Sequence, residues 1–297
     1  MLSNRKYMIS ILTLGMLLLA SLACNTLTGM LATPTMEYIP TGAADTSGFI
    51  TQAPQEVTTV PTVPQLPEAN VSGTSYGGVS FSFNPVVANN LTPRTVPANT
   101  PPQDAAPWDA ANPEYIQFKF SGYPHSGTDF EPILEVYPVM AYENVNAAAT
   151  EKIDGLRQFL KDKPTNPENI PFLPTLNAGQ MLHAGIAYLN FKNGSGVRYL
   201  TQYGQSFLPI NNKSMFYTFQ GITNDDMYYV SAIFPLSHPD LPADGSQVPS
   251  GDYQAFADNF PKYILEMETT LNNANVLDFT PNLARLDALI QSLEIMK

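Results

Sequence analysis

The sequence predicts an α+β domain, a mainly antiparallel sheet with helices packed against it. Three observations lead there. Four runs dense in Tyr, Phe, Val and Ile lie at residues 182–191, 197–203, 215–220 and 227–234, with turn residues inside each pair. A stretch of helical period precedes them at 145–160, and further amphipathic stretches close the chain. This order suits hairpins covered by helices rather than alternating βαβ units.

Along the chain, Val79-Ser80-Phe81-Ser82-Phe83 alternates strictly and meets Asn84-Pro85, the pattern of a strand ending in a turn. Residues 86–113, with many prolines and the sole tryptophan, Trp108, read as an irregular wrap over the domain. In 115–123, Ile116, Phe118 and Phe120 face one way and Gln117, Lys119 and Ser121 the other, a half-buried strand. Residues 133–142 form another, which Pro138 assigns to an edge or a bulge. In the helix that follows, Ala149, Ile153, Leu156 and Leu160 make one stripe, and Gly155 weakens it slightly. Residues 163–180 hold four prolines and read as irregular, but Ile170, Phe172, Leu173 and Leu176 predict that the segment docks on the domain.

The four strand runs predict two hairpins. Lys192-Asn193-Gly194-Ser195-Gly196 supplies the first turn and Thr223-Asn224-Asp225-Asp226 the second. The run 227–234 is apolar on both faces and is expected at the centre of the sheet. Tyr253, Phe256, Phe260, Ile264, Met267 and Leu271 then keep helical period, with Pro261 kinking or splitting the helix. Thr280-Pro281 predicts an N-cap with proline at the first helical position, before the stripe Leu283, Leu286, Ile290 and Leu293.

The N-terminus predicts export. Arg5 and Lys6, an apolar run over 7–23 and Cys24, the single cysteine, make a signal peptide at 1–23. Ser21-Leu22-Ala23-Cys24 resembles the bacterial lipobox, in which the cysteine becomes the lipidated first residue. Ser21 stands where Leu is usual, so Ala23 and Cys24 carry the inference. The alternatives are an uncleaved anchor helix and an ordinary signal peptide. With Cys24 given to lipid no thiol remains to pair with it, so the domain relies on its core. Residues 24–74 are rich in Thr, Pro, Ala, Gln and Val, contain four acidic residues and no basic one, and read as a disordered tether. Fully extended at about 3.1 Å per residue, some fifty residues would reach ~150 Å from a membrane. Its prolines between 57 and 67 could alternatively make it a docking peptide. The single domain spans 75–297, large enough to bury about 70% of its unfolded surface.

The formal net charge of −12, with scattered basic residues, excludes nucleic acid and anionic headgroups as partners, because both require a basic patch. Partners are instead the membrane, through lipidated Cys24, and a protein or a small solute.

Tyr76-Gly77-Gly78-Val79-Ser80-Phe81-Ser82-Phe83-Asn84-Pro85 is similar to the opening strand of the PsbP-like family, where a Gly-Val/Phe-x-Phe-x-Tyr/Phe-Pro stretch begins an α/β/α sandwich. The closing Leu289-Ile290-Gln291-Ser292-Leu293 resembles the helix that ends that fold. The resemblance implies a fold more than a function. Residues 193–203 and 209–223 look like a set of uncharacterised bacterial lipoproteins of Chloroflexi type. That resemblance implies a lipid-anchored, extracytoplasmic domain and brings no activity.

Catalytic parts are sparse. Gly194-Ser195-Gly196 lacks the spacing of a nucleophile elbow. His125, His183 and His238 lie far apart and form no metal-ligand pair, and Asp240, Asp244, Asn224, Asp225 and Asp226 have turn chemistry rather than calcium-loop spacing. No cofactor is predicted. A candidate binding face is Gln202, Tyr203, Tyr217, Tyr228 and Tyr229, with Asn211 and Asn212 at its rim, against the alternative that these rings only cover a sheet. The leading expectation is a non-enzymatic binding or accessory domain that docks a partner at the outer membrane face. The second is a solute- or glycan-binding lipoprotein with a pocket lined by those tyrosines. The third, a hydrolase or metal-dependent enzyme, requires two of the histidines or a buried carboxylate pair to meet in the fold.

Overall fold

The computed structural model describes residues 71–102, 104, 111–249 and 251–296. The signal peptide, Cys24, the tether up to residue 70 and Trp108 lie outside the described residues.

The domain opens on a hairpin, β1 (Ser72–Tyr76) and β2 (Val79–Phe83), so β-structure begins inside the range read as tether. Gly77 and Gly78 form its two-residue loop, both at positive φ as a type I′ turn requires. A third edge strand closes this small sheet at the far end of the chain: β12 (Glu294–Ile295) pairs with β2.

The main sheet has seven strands, every pair antiparallel, in the order β3 (Asn90–Val96), β4 (Tyr115–Ser121), β5 (Ile133–Pro138), β11 (Tyr228–Pro235), β10 (Phe216–Thr223), β8 (Gly194–Thr201) and β7 (Ala184–Phe191). Strand β11 is central, as its two apolar faces predict. A two-stranded ribbon, β6 (Gly179–Gln180) with β9 (Tyr203–Gly204), lies apart from it in pairing.

Three sequence expectations are corrected. The wrap over 86–113 contains β3, an edge strand that pairs only with β4 and so tolerates Pro93, which cannot donate to a ladder. Strand β5 is interior, not at an edge, because Pro138 is its last residue and the N-cap of α1 (Val139–Val145). The last helix, α5 (Leu283–Gln291), is capped not by Thr280 but by Asn282, whose side chain accepts from the Arg285 N–H at 3.0 Å. Thr280 instead makes a backbone bridge with Ser237. The remaining helices are α2 (Ala147–Asp162), α3 (Tyr253–Asp258) and α4 (Phe260–Asn273), the last two split at Asn259 just before Pro261.

Alternation divides the main sheet into two buried faces. On one, Phe118, Leu134, Leu200, Tyr217, Phe219, Val230 and Phe234 pack against Phe81 of β2 and against Leu271, Leu286 and Ile290 of the C-terminal helices. On the other, Tyr137, Val197, Tyr199, Phe216, Tyr229 and Ile233 pack against Tyr142, Ile153 and Leu156 of α1 and α2, and against Ile170, Phe172 and Leu173. Residues 163–178 are thus irregular and docked, as their apolar content predicts. Helix α2 packs on β8 and β10, whereas α4 and α5 pack on β7, so helices cover both faces.

Candidate functional site

The ribbon β6–β9 positions a group of adjoining surface depressions. Gln180 is its hub: its Oε1 accepts from the Ile170 N–H at 3.0 Å, and its Nε2 donates to the hydroxyls of Tyr203 at 2.8 Å and Tyr199 at 3.2 Å. The side chain therefore holds the docked segment and the ribbon together. On one side of Gln180 lies a depression of about 420 Å³ lined by Lys152, Asn169, Thr175 and Tyr203 among others. On the other side lies a second, of about 480 Å³, lined by Met181, Gln205, Ser206, Phe207, Tyr253 and Phe260. A third, about 440 Å³, shares Tyr253 with the second and continues over Leu208, Ser246, Gln247 and Val248. The three adjoin through Gln180 and Tyr253 and make an elongated cleft.

Two aromatic rings of this cleft are open to solvent. Phe207 is 47% and Tyr253 49% exposed. Phe207 has firm backing. The Phe207 ring lies 4.8 Å from that of Phe260, which in turn contacts Phe256 at 5.6 Å and Tyr263 at 6.0 Å. The Tyr263 hydroxyl accepts from the Ile210 N–H at 2.9 Å, tying α4 to the loop after β9. Tyr253 is the first residue of α3, whose N-cap Asp252 accepts from the Gln254 and Ala255 N–H groups. That carboxylate is engaged in capping rather than turned to a ligand.

The face predicted from sequence is distributed otherwise. Tyr217 and Tyr229 lie on opposite faces of the sheet, both fully buried, with hydroxyls committed to Asp287 and Gln220. Gln202 and Asn211 are also buried and build the loop before β10. Gln202 Oε1 accepts from the Asn211 N–H at 3.0 Å, and both amides donate to the Pro209 carbonyl. Asn212 clamps another loop, donating to the His238 and Leu241 carbonyls and accepting from the His238 N–H. Tyr228 is half-buried against the core beneath α5. Tyr203 alone among the seven lines the cleft. Phe207 carries a signal that sequence reading passed over, an aromatic residue in a polar, Gly- and Ser-containing loop, whereas Tyr253, read with the apolar stripe of the helix, stands exposed at the start of α3.

The histidines do not converge on one another. His125 Nε2 lies 2.6 Å from the Asn212 carbonyl, and His183 Nδ1 lies 3.4 Å from Glu268 Oε1. His238 is buried against Phe279, its Nδ1 accepting from the Asp240 N–H at 3.3 Å. Among the described residues no group of three His, Cys, Asp or Glu side chains is placed to hold a metal ion.

Sequence reasoning also missed a buried carboxyl. Glu135 on β5 is 3% exposed, accepting from the Tyr137 hydroxyl at 2.7 Å and from Gln117 Nε2 at 2.6 Å. Arg94 Nε in turn donates to Gln117 Oε1 at 2.7 Å. Burial raises the Glu135 pKa above the ordinary carboxylate range, and burial together with Glu135 pushes Tyr115 up to about 12. Rings of Tyr115, Tyr137 and Tyr142 stack beside it at 4.4 and 4.7 Å. Glu135 lines none of the three depressions, so its chemistry is that of a structural acid. Its signal was a carboxylate flanked by apolar residues on an apolar strand. Comparison with protein-family models, curated proteins and solved structures finds no match to this chain.

Proposed function

We propose that this chain is a membrane-tethered extracytoplasmic binding domain, held by a lipid on Cys24, that takes its ligand in the cleft along β6 and β9. The cleft carries the reading: adjoining depressions in which Phe207 and Tyr253 are about half exposed and the Phe207 ring is backed by Phe260. Ligand sites combine such apolar surface with a few placed polar groups, here Gln180, Gln205 and Ser206. The lipobox-like Ala23-Cys24 and the Thr- and Pro-rich segment after it support the tether. The main sheet covered by helices on both faces, in a domain that opens on the hairpin containing 79–83, supports a PsbP-like α/β/α sandwich as its architecture. A non-enzymatic role fits a cleft whose titratable groups do not assemble into an acid–base or nucleophilic set.

Native mass spectrometry of the protein extracted gently from its own membrane, with Cys24 intact, tests this. A mass increase matching an acyl-modified cysteine plus a bound small molecule is expected. A chain with an unmodified or uncleaved N-terminus contradicts the lipid anchor. A stoichiometric protein partner with the cleft still open to hydrogen exchange at 204–207 contradicts the cleft and favours the accessory reading.

A further inference from the structure

We propose that the two depressions joined at Tyr253 form one site for a neutral, extended oligosaccharide, with Tyr253 standing between two sugar-binding positions; this rests on the cleft being the ligand site. Among the described residues no Asp, Glu, Lys, Arg or His lines either depression, in a chain whose net charge is −12. That charge repels anionic ligands at a distance, and the uncharged lining offers a cation no counter-charge. A lipid or hydrocarbon would want continuous apolar walls. Here the apolar side chains, Met181, Phe207 and Tyr253 in one depression and Leu208 and Val248 in the other, are interrupted by Gln205, Ser206, Ser246 and Gln247.

A pyranose has this same division, with C–H groups on its faces and hydroxyls at its rim. Phe207 offers flat apolar area at small entropic cost, because its ring is backed by that of Phe260, and Tyr253 adds a half-exposed ring from the first residue of α3. Gln205 is similarly fixed, its Nε2 donating to the Asn177 carbonyl at 2.7 Å, which turns its Oε1 to accept from a ligand hydroxyl. Two adjoining depressions of about 480 and 440 Å³ call for a chain of sugars rather than one. An extended peptide would instead draw main-chain hydrogen bonds from a strand edge, and β6 and β9 are two residues each and pair with one another.

The test uses the full chain in lipid nanodiscs, titrated calorimetrically with neutral glucose and N-acetylglucosamine oligomers from disaccharide to hexasaccharide. Uronic-acid oligomers of equal length and an uncharged proline-rich peptide serve as competitors. Affinity should rise with neutral chain length and then level off, and Tyr253→Ala should weaken the longer oligomers by about tenfold, the size of one good ring contact. Phe207→Ala should do the same, and Leu265→Ala, an exposed change on α4, should not. Hydrogen exchange should slow at 204–207 and 253–256 on binding. Failure of every neutral oligomer to bind overturns the proposal, as does equal affinity for the acidic series. If the peptide protects those segments and the sugars do not, the saccharide assignment falls and the cleft stands. If extract from the native membrane also leaves them unprotected, both fall.

Discussion

Arg198 is a cation on the buried face of β8, 8% exposed, and its neutralisation rests on one residue of another element. Its Nε and Nη2 reach the two carboxylate oxygens of Asp287 on α5 at 3.2 and 3.0 Å, and the Tyr217 hydroxyl donates to Asp287 Oδ1 at 3.1 Å. Replacing such a pair by apolar residues can be neutral, but removing one partner strands a buried charge. Asp287→Ala is therefore expected to cost about 3–5 kcal/mol in urea unfolding, with part recovered on adding Arg198→Leu. Glu135 gives a prediction in pH. Its native pKa is raised by burial, so between the ordinary carboxylate range and that raised value the folded chain holds a proton that the unfolded chain has lost. Stability from this group is then greatest on the acid side and falls as pH rises through that window. Glu135→Gln should flatten that part of the curve of unfolding free energy against pH, and an unchanged slope would contradict the assignment.

Elements here are joined by a few side chains that saturate one another. Gln220, fully buried on β10, accepts from the Leu173 N–H at 3.0 Å and from the Tyr229 hydroxyl, while donating to Thr218 Oγ1 at 2.9 Å and Ser231 Oγ at 3.2 Å. Ser231 Oγ completes the set by donating to the Leu173 carbonyl at 2.6 Å. One glutamine thus seats the docked segment at the centre of the sheet, and Gln180 repeats the device at the cleft. Hairpin β7–β8 shows a different constraint. Its loop is only Lys192 and Asn193, and Gly194 and Gly196 belong to the strand. A Cβ at Gly196 would lie 2.4 Å from the Gln220 carbonyl oxygen and 2.4 Å from Phe219 Cζ, so glycine is there for close approach of backbone and ring. Gly196→Ala is expected to destabilise by about 1–3 kcal/mol, seen as a lowered urea midpoint with unchanged slope.

At the scale of the molecule, the two ends of the domain are sewn together. Ser292 Oγ accepts from the Ser82 N–H at 2.9 Å, and its single proton is within reach of the Leu289 carbonyl at 2.7 Å and the Ser82 carbonyl at 3.0 Å, beside the β2–β12 pairing. The C-terminus therefore completes the small sheet that the start of the domain opens. No helix among the described residues is long and apolar enough to cross a membrane, so the proposed attachment rests on the N-terminus. Cys24→Ala should remove the lipid and shift the chain from the detergent to the aqueous phase in detergent phase partitioning. Persistence in the detergent phase would instead point to a retained apolar N-terminal helix as anchor.

What the sequence determined by itself was what short-range pattern dictates. Period-two and helical stripes marked β2, β4, the four strands of the two hairpins, α2 and the terminal helices, because burial of one stripe constrains residues only a few positions apart. The apolar character of both faces of 227–234 even placed β11 at the centre. Strand β3 was illegible because an edge strand with Pro93 has only one neighbour to satisfy and little apolar pattern to show. The candidate site was less legible still. Tyr217, Tyr229, Gln202 and Asn211 look like a polar aromatic face, but whether a tyrosine hydroxyl or an amide meets water or a buried partner depends on residues far away in the chain, Asp287 on α5 for Tyr217. Only the tertiary structure decided that these groups turn inward and that Phe207, in the loop after β9, and Tyr253, at the start of α3, are left exposed at one cleft, because a cleft is a contact between segments and no local period encodes it.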